Sequence, residues 1–283
     1  MQARRQSTAY TKLRAHNRET MPLVDSMLAV LILAALHVYC ARLRVIRQEE
    51  HSPWLSFAGG VAVAYVFVVL LPKLSDWQVT VAQMQRDSLL ATPLGPQEME
   101  SVKKFLIYEV FLSALGGLVV FYGLERAVYW LKLRQRKENR ATVLATGLFW
   151  LNIAVFAAYN ALIGYIMVHS QIPGKLALFL GIIAIGLHFL GINHGLWQSY
   201  QERFDRYGRW VFVLALLLGW LLGILTDFNK QVYIGMYSFV AGAIIMNVFN
   251  EELPSGPQAR FWPFILGAMG YSLLWLSIYR FLK

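Results

Sequence analysis

Apolar residues run along this chain in blocks of about 20, the length a helix needs to cross the roughly 30 Å hydrocarbon core of a bilayer. Charged residues gather in short segments between the blocks. Apolar blocks at 24–46, 54–72, 105–131, 142–168, 176–199, 210–226, 232–252 and 261–282 predict eight transmembrane helices. The connections are short except for 73–104, where Pro93, Gly95 and Pro96 precede Glu98 and Glu100, the pattern of a loop that feeds a helix start. Residues 1–22 are polar and basic, and no small-residue cleavage site follows the first apolar run, which argues against a removable signal peptide. The Arg4-Arg5 pair lacks the neighbours of a twin-arginine signal. The predicted organisation is a disordered basic tail over 1–22 and a single transmembrane domain over 23–283.

Composition strengthens the membrane reading. Hydrophobic residues make up 57% of the 283 positions and charged residues 15%, with a mean hydropathy of +0.47, too apolar for a soluble domain of ordinary composition. The net charge of +10 raises nucleic acid as a partner. The basic residues, however, are scattered over many connections without a nucleic-acid-binding motif, so loop topology accounts for the charge and no nucleic-acid partner is expected. One cysteine, Cys40, excludes an internal disulfide and a thiolate metal cluster.

Eight spans put both termini on one face, and Lys and Arg divide 13 against 13 between the two faces. The positive-inside rule weights short loops. The densest short clusters are Lys132, Arg134, Arg136, Lys137 and Arg140, then Arg42, Arg44 and Arg47, then Arg203, Arg206 and Arg209. All lie on one face, which is therefore expected to be cytoplasmic, with both termini external to the cell membrane. The basic tail opposes this assignment.

The second and seventh spans align without a gap at an offset of 182 residues. Ser56-Phe57 matches Ser238-Phe239, Gly60 matches Gly242, Val66-Phe67 matches Val248-Phe249, and Leu71-Pro72 matches Leu253-Pro254. Seven of 18 positions are identical, among them Gly and Pro, whose placement carries backbone meaning. Five steps along the chain separate the two spans, so they run in opposite directions and the repeat is inverted. The expected fold is all-α, a polytopic bundle of eight transmembrane helices arranged 3+2+3, with two triplets flanking spans 4 and 5.

Polar residues inside spans are candidates for function because they are costly in lipid unless they face the bundle interior or water. Span 4 carries Asn152, Tyr159 and Asn160; span 5 carries His188, Asn193, His194 and Gln198. Each also has a plainer explanation as interhelical hydrogen-bond glue. His188 and His194 are six residues apart, about 120° around a helix, so they do not chelate one ion together. A metal site using either needs partners from span 4, or from span 3, where Glu109 is the carboxylate. His37 and Cys40 share a face of span 1 but are only two ligands, and read as core. Glu251 and Glu252 end span 7, where carboxylates serve either as solvated ends or as entrance ligands. Trp54, Trp130, Trp210, Trp262 and Tyr279 fall near span ends as interface anchors. No phosphate loop, nucleophile elbow or His-Glu-x-x-His string occurs, and no paired catalytic carboxylates lie at matching depth, so an enzyme is not expected.

The string Ser-Phe-Ala-Gly-Gly-Val at 56–61 leading to Leu-Leu-Pro at 70–72, with its echo ending Glu-Glu-Leu-Pro at 251–254, resembles the ZIP family of divalent-metal transporters. The resemblance extends from span 1 to span 8. It implies eight helices in a 3+2+3 inverted repeat with the termini outside. Where that family carries His-Asn-x-x-Asp in its fourth helix, this chain has Tyr159-Asn160-Ala161-Leu162-Ile163-Gly164, retaining Asn160 and the following Gly164. Where the fifth helix carries His-Glu-x-x-His, His194 takes the second histidine and Leu190 and Gly191 stand at the first two positions. The polar position of helix 2 is Val69 here.

The resemblance implies a transporter moving a divalent metal such as zinc, iron or manganese, or another small solute, by alternating access between spans 4 and 5. Asn160 and His194 lead the candidate ligands, with His188 and Asn193 beside them and Glu251 near the mouth. The competing expectation is a ZIP-like membrane scaffold or regulatory protein that has lost its metal site and works through its loops, with the basic loop 132–140 as docking point. Expected partners are the lipid bilayer, the metal as substrate, and a second copy of the chain in a homodimer; no resident cofactor is expected.

Overall fold

The computed structural model describes residues 21–40, 53–90, 108–138, 141–170, 172, 174–252 and 260–281, and every regular element among them is helical. Helix α1 is Leu23–Tyr39; α2 runs from Pro53–Tyr65 through a π-helical turn at Val66–Leu70 into Leu71–Leu90. Helices α3 (Glu109–Glu138), α4 (Ala141–His169) and α5 (Gly174–Tyr200) follow. A π-helical turn at Phe204–Gly208 leads into α6 (Arg209–Leu225); α7 (Lys230–Asn247) ends in a third such turn at Val248–Glu252, and α8 is Phe261–Phe281. Seven of the described helices are long and apolar enough to cross a bilayer, and α1, at 17 residues, is apolar but shorter. The chain is a multi-pass helical membrane protein. The predicted extension of span 1 from 41 to 46 lies outside the described residues, as does the tail over 1–20. The last two residues assigned to that tail behave otherwise: Met21 is buried and its N–H donates to the Ser170 carbonyl at 3.2 Å.

The largest departure from the sequence expectation is at α2. Pro72 was read as the end of a span, with a loop over 73–104, yet the helix continues to Leu90. A proline inside an α-helix leaves the carbonyl four residues earlier without a donor and collides with it. Here that carbonyl belongs to Val68, inside the π-helical turn Val66–Leu70, where the extra residue per turn changes the bonding pattern and absorbs the defect. Residues 91–104 of the predicted loop lie outside the described residues. The same offset of 182 carries Val66–Leu70 onto the π-helical turn Val248–Glu252.

Three pairs of helices approach until backbone meets backbone, each pair using one glycine from either partner. A Cβ on Gly60 of α2 would land on the Phe264 carbonyl of α8, and one on Gly267 of α8 on the Phe57 carbonyl of α2. Between α3 and α7, Gly117 lies against the Phe239 carbonyl and Gly242 against that of Ala114. Between α4 and α6, Gly164 lies against the Leu216 carbonyl and Gly219 against that of Ala161. Lipid tails are as apolar as leucine, so burial alone does not drive helices together in a membrane; close packing at small residues does. The core so formed holds Tyr159, Phe189, Phe212 and Leu216, all fully buried. Leu218, Leu222, Leu266 and Leu273 are exposed on the outer surfaces of α6 and α8, where the acyl chains lie.

Alanine at Gly60 or Gly242 is expected to push its partner helix away at a cost of about 1–3 kcal/mol, the usual penalty of overpacking. A Cβ at Gly116 or Gly270 meets nothing within 4 Å, so alanine there is expected to be neutral. Thermal unfolding of the four variants in one mild detergent separates the two classes; equal melting temperatures would refute the backbone contacts.

Candidate functional site

The bundle interior holds a buried polar set and a cavity, and α4 contributes to both. The first is centred on His37 of α1. Its Nε2 lies 2.9 Å from Asn160 Oδ1 on α4, and its Nδ1 lies 3.0 Å from Asn193 Nδ2 and 3.2 Å from Asn193 Oδ1 on α5. Asn160 Nδ2 donates to the Phe156 carbonyl at 2.8 Å, which leaves Oδ1 to face the imidazole. A neutral imidazole has one donor and one acceptor. The arrangement that satisfies every group has His37 Nε2–H donating to Asn160 and Asn193 Nδ2 donating to His37 Nδ1. His37, Asn160 and Asn193 are all essentially fully buried, and Phe189 and Phe212 pack on the imidazole at ring centroid distances of 4.6 and 5.5 Å. Cys40 Sγ donates to the His37 carbonyl at 3.0 Å.

Asn160 and Asn193 are thus brought together, while the two histidines of α5 are not part of this set. His188 shares a 3.0 Å hydrogen bond with Tyr159, and Tyr159 packs on Phe121 of α3. His194 shares one with Gln198 on its own helix at 3.0 Å. Asn152 donates to Tyr200 at 2.6 Å and to the Leu148 carbonyl at 3.2 Å. Glu109 accepts from Gln85 of α2 at 2.6 Å and from Gln231 at the start of α7 at 3.0 Å, away from the centre. Glu251 belongs to the π-helical turn Val248–Glu252; its side chain lies outside the described set. Among the described residues, no group of three or more His, Cys, Asp or Glu side chains comes together. His37 was read from the sequence as core; the structure makes it the hub joining α1, α4 and α5. A buried imidazole in lipid needs partners for both nitrogens, and that requirement was a signal available from the sequence.

The second arrangement is a cavity of about 340 Å³ between α2, α4, α5, α7 and α8. It opens on the face that carries the α4–α5 turn, where Lys73 and the exposed Asp76 line its mouth and Ser170 and Ile172 its rim. Its walls are apolar, with Val69, Ile182, Ile185 and Trp275 among them, and Tyr65, Tyr233 and Tyr237 supply hydroxyls. Tyr65, Ile166, Met167, Ile185 and Tyr237 also border a deeper void of about 40 Å³, walled further by Leu70, Ile163, Val240 and Ile244. Tyr159 lies one helical turn beyond Ile163, about 6 Å along α4. The cavity residues Lys73 and Asp76 went unnoticed in the sequence because Pro72 was read as the end of the span.

Comparison of the chain with models of known protein families and with curated protein sequences finds no match to either.

The His37 set acts as a tie between α1 and the central pair. Interhelical hydrogen bonds in membranes average about 0.6 kcal/mol and reach about 1.7 kcal/mol. A double-mutant cycle of His37→Ala with Asn160→Ala, read by unfolding in detergent micelles, is expected to give a coupling of about 0.5–1.5 kcal/mol. Ser113→Ala combined with His37→Ala is expected to be additive, because Ser113 Oγ donates to the Gly235 carbonyl and shares no partner with His37.

Proposed function

We propose that this protein is a ZIP-like transporter of the cell membrane, moving a small solute by alternating access, with both termini external. The observation that carries the reading is the cavity between α2, α4, α5 and α7, open toward one face and floored by apolar side chains. A site at mid-bundle reached from one side is what an alternating-access carrier presents in each of its end states.

The inverted repeat is supported by three recurrences. The π-helical turns Val66–Leu70 and Val248–Glu252 fall at equivalent positions. The crossing of α2 with α8 and that of α7 with α3 use equivalent residues: Gly60 and Gly242, Phe57 and Phe239, and, at a spacing of 150 positions, Gly117 and Gly267. Phe67 and Phe249, equivalent under the offset, pack on each other at 6.2 Å, as residues near a two-fold axis do. Under this symmetry Tyr65 of the cavity corresponds to Asn247, whose Nδ2 is buried without a partner. In the opposite state Asn247 lines the cavity that opens toward the α3–α4 turn, and water or solute satisfies its amide.

The cargo that the resemblance implies is a divalent metal, with Asn160 and His194 as leading candidate ligands, His188 and Asn193 beside them and Glu251 near the mouth. The second reading, a ZIP-like scaffold without transport, draws on one observation: the hydrogen bonds of His37 occupy Asn160 and Asn193. Uptake by reconstituted liposomes, measured with zinc, iron, manganese and cobalt, tests the metal cargo directly.

Alternation itself is tested with cysteines in a Cys40→Ser background. Ile182→Cys is expected to react with an impermeant thiol reagent from the face of the α4–α5 turn and Asn247→Cys from the opposite face. Occupying Ile182→Cys with a bulky adduct holds the first cavity open and should slow labelling at Asn247→Cys by about fivefold or more, as a shift in a two-state population does. Independent labelling rates would count against a carrier and for the scaffold.

A further inference from the structure

The chemistry at the mouth of the cavity points to the class of solute it takes. Lys73 Nζ sits 4.5 Å from the centre of the Trp77 ring, and Lys230 Nζ, arriving from the start of α7, sits 5.6 Å from the same ring. Two ammonium groups therefore share one indole, and each repels the other; Asp76 is the carboxylate that acts on Lys73. Lys73 and Asp76 line the cavity, and Lys230 adds a second ammonium beside Trp77. Trp77 is buried and its Nε1–H has no partner. Its ring stands 6.0 Å from that of Tyr233, which lines the cavity, and the His169 ring stands 6.0 Å from Tyr233 too, with a buried Nε2 that also lacks a partner.

The unpaired Trp77 Nε1–H beside two ammonium groups is a donor set that an anionic group satisfies, because hydrogen bonds to a charged acceptor are stronger than those to a neutral one. Beyond the mouth the walls are apolar, with tyrosine hydroxyls the main polar groups. A volume of about 340 Å³ falls in the range of small-molecule sites, which are largely apolar with a few placed polar groups that fix orientation.

We propose that the cavity binds an amphiphilic organic anion, its negative head held between Lys73 and Lys230 near Trp77 and its apolar body among Val69, Ile182 and Ile185. The inference rests on the transporter reading only for the step from binding to passage. The head-group chemistry is shared by a free carboxylate solute and by an anionic lipid.

The test uses the full chain in nanodiscs of phosphatidylcholine and measures binding of radiolabelled octanoate by equilibrium dialysis, with octan-1-ol and octylammonium as uncharged and cationic counterparts. Saturable octanoate binding is expected, weakened about tenfold or more by Lys73→Gln with Lys230→Gln. Asp76→Asn is expected to tighten it severalfold, a gain that a misfolded variant does not produce. Octan-1-ol should bind equally to all forms. Octanoate binding no tighter than octylammonium, or unmoved by the three substitutions, would overturn the proposal. Adding phosphatidylglycerol to the nanodiscs separates the sources: displacement of octanoate, with that lipid retained by the wild-type chain and lost from the lysine variant, assigns the site to a lipid. Binding undisturbed by phosphatidylglycerol assigns it to a free solute. Binding intact without uptake in liposomes counts against transport and leaves the site standing.

Discussion

Everything in this bundle depends on helices touching backbone to backbone. In lipid the apolar side chains gain nothing by leaving their solvent, so the attraction between helices comes from dispersion at close range and from the few polar groups that have no other partner. Dispersion is individually small and grows only when atoms approach to contact distance along a continuous seam. The reciprocal glycines of α2 and α8, α3 and α7, and α4 and α6 provide those seams. They fix where α2, α4 and α7 stand, and the cavity is the space that remains where these three and α5 diverge.

The interior polar groups divide the labour. His37, Asn160 and Asn193 pair with one another, so their burial is compensated and they hold α1 against the central helices. Ser26 adds a second tie on the same helix by accepting from Trp220 of α6 at 3.1 Å. Trp77, His169 and Asn247 instead carry buried atoms without partners. An unpaired buried donor costs more than a paired one stabilises; the Trp77 and His169 atoms lie around Tyr233 of the cavity wall, and none of the three belongs to the His37 set.

Much of this was written in the sequence, and the parts that were not have physical reasons. The apolar blocks located the eight helices of the described residues because lipid leaves a span little freedom in composition. The aligned Gly60 and Gly242 stand at two of the three backbone crossings, since only glycine tolerates a carbonyl at that distance. Pro72 misled because its usual effect, ending a helix, is suspended by a π-helical turn, and that turn depends on bonding that no residue type announces. The site was legible only in pieces. Asn160 and Asn193 were visible as polar residues in apolar spans, but their meeting at His37 is a tertiary contact across 123 and 156 residues. Lys73 and Asp76 looked like ordinary loop charges.

The distribution of close contacts also says which part of the bundle is least constrained. Helix α4 is clamped to α6 through Gly164 and Gly219, whereas Gly181 and Gly186 of α5 make no comparable contact: a Cβ on Gly181 would meet nothing within 4 Å, and one on Gly186 would meet only leucine side chains of α1. Gly181 lines the cavity. The wall of the cavity formed by α5 is therefore held by side chains that can exchange rotamers, and the walls formed by α2 and α7 are held by backbone seams to α8 and α3. The three glycine seams thus lie outside α5, which is held by side-chain packing and by the Asn193–His37 and Tyr159–His188 hydrogen bonds.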